Sequence, residues 1–186
     1  MTADQSTNVL FVCTGNAARS VMGAALLRAA ADQPGGPNVV VTSAGTHSIP
    51  DLPMSVRTKG ALDAVGVEDL AHRSSQLDAE IGAPAELVLV FEPMHIIWIR
   101  RNLPELASRT GSLPRISRDL AAGPLATLPD RLEALNLATV DFEPWEEVVD
   151  PAGGDLPDFV EAAERIAELV RELTPKLDLG AQPDTA

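Results

Sequence analysis

Val9-Leu-Phe-Val12 is a short, wholly apolar run that stops abruptly at Cys13-Thr-Gly-Asn16. Such a run suits a strand buried on both faces, the usual condition of a strand inside a parallel sheet. From Ser20 the pattern changes: Met22, Ala25, Leu26, Ala29 and Ala30 recur at helical spacing, with Arg28 off that stripe. Gly35-Gly36 closes the unit, and Val39-Val-Val41 opens a second strand. A strand, a loop, a helix and a second strand in that order predict the start of a parallel α/β sheet.

The alternation continues along the chain. Pro53 to Val65 fits a helix with Gly66 at its C-terminal cap, and Leu87-Val-Leu-Val-Phe91 reads as a third buried strand. Pro93 suits the start of a helix through Arg101. A weak fourth strand is expected near Leu113 to Ser117, although Pro114 fits a strand poorly. Leu156 to Leu173 carries Phe159, Val160, Ala163, Ile166, Ala167 and Val170 on one face, and Thr174-Pro175 is expected to end that helix. The pattern predicts a three-layer α/β/α fold with a four-stranded parallel sheet. One domain is expected over residues 8–174, between flexible segments at 1–7 and 175–186, and residues 103–149 are the hardest to place.

Composition limits the partners. With 27 acidic residues against 14 basic ones, the net charge of −13 argues against a broad nucleic-acid surface and against anionic lipid. A local anion pocket is still allowed, because a few backbone amides and one arginine suffice. No apolar run approaches the ~20 residues that span a bilayer. The polar start of the chain lacks the lysine or arginine of a secretory signal. A single cysteine fits a reducing compartment, so a cytoplasmic location is expected. One cysteine and three scattered histidines make no metal constellation, so neither metal nor cofactor is expected.

The segment with chemistry is Cys13-Thr-Gly-Asn-Ala-Ala-Arg-Ser20, in which five residues separate a cysteine from an arginine. The spacing alone is weak, and a buried structural cysteine with a capping arginine would satisfy it. Its position between a buried strand and a helix N-terminus is what makes it informative. There, successive amides and the helix dipole converge on one point, which suits a phosphate dianion and favours a thiolate. Arg19 can grip two phosphoryl oxygens with its planar fork, and the Ser20 hydroxyl can reach the sulfur. The amides of Thr14, Gly15, Asn16, Ala17, Ala18 and Arg19 and the hydroxyl of Ser20 would line the cradle.

Residues 9 to 22 strongly resemble the signature of the low-molecular-weight protein tyrosine phosphatases. Ser43-Ala-Gly-Thr46, His72-Arg73 with Gln76-Leu77, and Asp150-Pro151-Ala-Gly-Gly154 match that family in order. The resemblance spans about residues 8 to 173 and is poorest over 103–145. It implies a phosphatase working through a phosphocysteine, with Cys13 as nucleophile, Arg19 as phosphoryl clamp and Asp150 as general acid. It also implies that Asn16, Ser20, Ser43 and His72 form a hydrogen-bond network that holds the loop open. Without it, Asp150 could not be chosen over its neighbours Asp141, Asp155 and Asp158. His47 and His95 read as structural or exposed.

Two departures bear on the substrate, expected to be a phosphorylated protein or a small phosphomonoester. Members acting on phosphotyrosine usually wall the pocket with aromatic residues, whereas here Ala152 follows Asp150-Pro151 and His47-Ser-Ile49 follows Thr46. The chain has no tyrosine, and its tryptophans are Trp98 and Trp145. Ala18 stands where some members carry a second, protective cysteine. Two other functions use the same loop: arsenate reduction coupled to an external small thiol, and a non-catalytic phosphate-binding scaffold.

Overall fold

The computed structural model describes residues 6–69, 71–123 and 126–177. Four parallel strands form one sheet: β1 (Thr7–Cys13), β2 (Val39–Gly45), β3 (Leu87–Val90) and β4 (Thr110–Ser112), in the order β2-β1-β3-β4. The helices are α1 (Arg19–Ala31), α2 (Val56–Ala64), α3 (Ala79–Gly82), α4 (Pro93–Asn102), α5 (Leu113–Asp119), α6 (Leu128–Glu133) and α7 (Leu156–Leu177). The strand period of two divides the core. Val9, Phe11, Leu87 and Leu89 pack with α1, α2, α5, α6 and α7, while Leu10, Val12, Val88 and Val90 pack with α4, Leu77 and Leu106. The sheet is covered on both faces, as the three-layer reading requires.

Two local expectations change. Leu113 to Ser117 is not a strand: β4 ends at Ser112, and α5 begins at Leu113. The Ser112 hydroxyl accepts from the Arg115 amide, and Pro114 sits in the first turn, where its missing N–H costs nothing. The last helix also runs past Pro175 to Leu177. Pro175 is exposed, so its ring can point to solvent, and buried Leu177 keeps the final turn docked. Expectations for residues 1–5 and 178–186 fall outside the described residues. No helix among the described residues is long and apolar enough to cross a membrane.

Candidate active site

Residues 13 to 19 turn sharply between the C-terminal end of β1 and the N-terminus of α1. Each carbonyl from 13 to 18 is tied outward. Cys13 O and Thr14 O accept from the amides of Thr46 and His47 (both 2.9 Å), and Gly15 O accepts from Ser48 Oγ (2.9 Å). Asn16 O accepts from His72 Nε2 (3.0 Å), Ala17 O from Thr58 Oγ1 (2.7 Å) and Ala18 O from the Met22 amide (2.9 Å). None of these peptides is cis. In a trans peptide the N–H lies opposite the carbonyl, so the amides of residues 14 to 19 turn away from these anchors and toward the loop's interior. A concave nest of donors at a helix N-terminus results.

The network expected from the sequence is assembled. Asn16 is fully buried and adopts a left-handed backbone (φ 50°), a strained state that asparagine tolerates better than most residues. Its Nδ2 donates to Ser20 Oγ (2.9 Å) and Ser43 Oγ (3.0 Å), and its Oδ1 accepts from the Ser75 amide (2.8 Å). Cys13 Sγ lies 3.0 Å from Ser20 Oγ. Burial lowers the pKa of His72, and its bond to the Asn16 carbonyl partly offsets this. Gly45 lets the second strand approach: a Cβ there would lie 2.6 Å from Thr14 O and 2.8 Å from Asn16 N.

Arg19 is 1% exposed and held on three sides. Its Nη2 donates to Asp150 Oδ2 (2.6 Å), and its Nη1 donates to Glu92 Oε2 (2.9 Å) and Val148 O (3.1 Å). Asp150 therefore reaches the loop. Its neighbours serve elsewhere: Asp158 Oδ2 accepts from the Asp155 amide, and Asp141 O accepts from Arg115.

Glu92 and His95 escaped the sequence reading. His95 is 1% exposed; its Nδ1 accepts from the Phe91 amide (3.4 Å). That leaves the proton on Nε2, which lies 3.1 Å from Thr14 Oγ1 and 3.2 Å from Glu92 Oε1. Burial pushes His95 down to about 4, against the opposing pull of Glu92. Burial alone would raise Glu92, but Arg19 outweighs it and holds the carboxyl below the usual range. The one available signal was their place at the start of the helix after β3, an edge where ligands of α/β sheets collect. Among the described residues, no group of three or more His, Cys, Asp or Glu could hold a metal ion.

A family model described as low molecular weight phosphotyrosine protein phosphatase matches residues 8–115. The chain belongs to this family. It is accordingly a cysteine-dependent phosphatase, a reading the family supports over arsenate reduction and over a non-catalytic scaffold. A protein-arginine-phosphatase from Geobacillus stearothermophilus is 31% identical over 169 residues, covering 91% of this chain and 95% of that protein. The low-molecular-weight protein-tyrosine-phosphatase Etp of Escherichia coli is 33% identical over 103 residues, covering 55% and 66%. A solved cysteine-to-serine mutant of the arginine phosphatase YwlE, described as carrying a phosphorylated active-site serine, superposes with a TM-score of 0.71 at 26% identity. It covers 90% of this chain and 93% of that one.

Proposed function

We propose that this phosphatase removes phosphoryl groups from arginine side chains of proteins, with Cys13 as nucleophile, Arg19 as phosphoryl clamp and Asp150 as general acid. The carrying observation is that a carboxylate from a distant part of the chain meets the loop that carries the cysteine and the arginine. Cys13 lies at the foot of the amide nest, and Asp150 reaches Arg19 at 2.6 Å from 131 residues away. The thiolate attacks phosphorus as the P–N bond breaks. The bond's electron pair goes to the guanidino nitrogen, which takes a proton from Asp150. Water then attacks the phosphocysteine and gives a proton to the Asp150 carboxylate, releasing inorganic phosphate and the thiolate. The nest amides and Arg19 stabilise charge on the equatorial oxygens.

The free-state pair between Arg19 and Asp150 fits this cycle. An entering phosphoryl group competes for Arg19 Nη2, which frees the Asp150 carboxyl to turn to the leaving nitrogen.

The substrate class rests on two supports. Two relatives matched over 95% and 96% of their length are named for arginine and cover 91% of this chain, against 74% for the probable tyrosine phosphatase EpsP, itself matched over 92% of its length. In addition, neither exposed Ile49 nor exposed Ala152 offers the ring face that would contribute roughly 0.5–1.5 kcal/mol against a phenyl group. Carboxylates at Glu92 and Asp150, in a chain of net charge −13, suit a planar cationic leaving group instead.

Rapid-quench assays on one peptide sequence carrying phosphoarginine or phosphotyrosine provide the test. The expected result is a phosphoenzyme absent from Cys13→Ala and a kcat/KM at least ten-fold higher for phosphoarginine. Preference for phosphotyrosine overturns the substrate class, and a phosphoenzyme persisting in Cys13→Ala overturns the nucleophile.

A further inference from the structure

The five residues leading into Asp150-Pro151 cross the C-terminal edge of the sheet and are anchored one strand at a time. Pro144–Glu146 form a 3-10 turn and the chain is extended from Glu147, with Glu146 and Val148 buried and Glu147 and Val149 exposed. Glu146 is held at the end of β4: Oε2 accepts from Ser112 Oγ (2.5 Å) and Arg115 Nε (2.8 Å). Its Oε1 accepts from the Glu143 amide (2.8 Å) and from Arg115 Nη2, which also donates to Asp141 O (3.0 Å). Val148 is held just beyond β3, where its amide donates to Phe91 O (2.8 Å), and its carbonyl accepts from Arg19. Asp150, two residues on, is exposed but turns its carboxylate to Arg19 beside the loop after β1.

A carboxylate 1% exposed is an expensive way to hold a loop. Burial alone would raise the pKa of Glu146, but Arg115, Ser112 and the Glu143 amide outweigh it and keep the group charged. Buried ion pairs contribute less to stability than apolar packing of the same volume, and their best-attested use is to specify register. Register matters here because slipping an extended segment by one residue turns its inward side chains outward.

We propose that Glu146, gripped by Arg115 and Ser112, is a positioning residue that sets the register of this segment so that Asp150 faces the phosphate loop. The proposal rests on Asp150 being the general acid. A clip that merely supported the fold would affect all substrates alike. One that positions the acid affects poor leaving groups most, because nitrophenolate departs without a proton and phenolate does not.

Single-turnover phosphoenzyme formation with phenyl phosphate and p-nitrophenyl phosphate separates the two, in wild type, Ser112→Ala, Arg115→Lys, Glu146→Gln and Asp150→Asn. Ser112→Ala keeps both side-chain bonds from Arg115 to Glu146 but loses the cap on the Arg115 amide, whereas Arg115→Lys keeps the cap and the charge without the fork, so a fold lost in Glu146→Gln does not end the test. A general acid contributes about 10²- to 10⁴-fold, so its partial misplacement in Arg115→Lys is expected to cost about ten-fold on phenyl phosphate. On p-nitrophenyl phosphate the loss should stay within about three-fold, with inhibition by inorganic phosphate unchanged, because nitrophenolate needs little acid assistance. Equal losses on both substrates, or no loss on either in both Ser112→Ala and Arg115→Lys, overturn the positioning role. If Asp150→Asn itself shows no leaving-group dependence, the acid assignment fails and the proposal falls with it. If Asp150→Asn shows it and the clip variants do not, only the proposal falls.

Discussion

Truncating Asn16 should damage the protein more than its small size suggests. Asn16→Ala removes two donated bonds and one accepted bond, at 2.8 to 3.0 Å, from a fully buried position. At about 1 kcal/mol net per bond these account for about 3 kcal/mol. Placing alanine at φ 50° adds about 1 kcal/mol, because asparagine relieves the left-handed state with its own side chain. The total of about 4 kcal/mol is a large share of the roughly 5–15 kcal/mol that holds a typical domain together. Ser43→Ala removes only the bond to Asn16 Nδ2 and should cost about 1 kcal/mol. Urea unfolding followed by the fluorescence of Trp98 and Trp145 reads both. The loop should also lose its shape in Asn16→Ala, with kcat/KM falling about a hundred-fold, since a displacement near 1 Å costs that much. A variant losing no more stability than Ser43→Ala, or one destabilised by 4 kcal/mol with wild-type inhibition by phosphate, would refute the reasoning.

Gly45→Ala should be destabilised and nearly inactive, because its Cβ would press on Thr14 O at 2.6 Å and Asn16 N at 2.8 Å; overpacking of this kind costs about 1–3 kcal/mol. Gly15→Ala, with nothing within 4 Å of its Cβ, should unfold at the wild-type urea midpoint. The native state refuses a proton at His95 down to about pH 4, whereas an unfolded histidine accepts one near pH 6.5. Its contribution is therefore complete above about pH 6.5 and lost as pH falls toward 4, about 2 kcal/mol of it between pH 7 and 5. His72 acts in the same direction, and Glu92 adds a loss once pH falls through the ordinary carboxylate range toward its lowered pKa. Urea midpoints across that pH range check this, and His95→Gln should flatten the slope.

The loop and the strand before it were legible because their signals are contiguous. Four apolar residues, an abrupt switch to small ones and a helical stripe all occur within two dozen positions. Leu113 to Ser117 misled because a short apolar run fits a strand or a buried helix, and Ser112 with Pro114 decided between them. The rest of the site was hidden by distance along the chain. Glu92 and Asp150 meet Arg19 across 73 and 131 residues, and no periodicity in either segment points at the loop. His95 read as structural or exposed; the structure buries it and turns its Nε2 toward Thr14. Glu146, Val148 and Asp150 span too few residues to show a pattern, and what each one meets is defined only by the ends of β4, β3 and β1.

Arg19 shows how a chain of net charge −13 can hold a dianion. The guanidinium is buried and already faces two carboxylates, so in the free enzyme the site offers the incoming phosphoryl group no excess positive charge from side chains. The two carboxylates are not equivalent. Glu92 is fixed by Arg19, Thr14 and His95 together, whereas the Asp150 side chain is 40% exposed and is bonded to Arg19 and its own turn. An anion competing for Arg19 would therefore displace Asp150, the proposed general acid, more readily than Glu92, which would keep the fork oriented. Affinity must then come from the amides of residues 14 to 19, whose dipoles are fixed by the outward anchors on their carbonyls. Net charge constrains which surfaces can meet this protein; it does not govern a site built from backbone dipoles around one neutralised arginine.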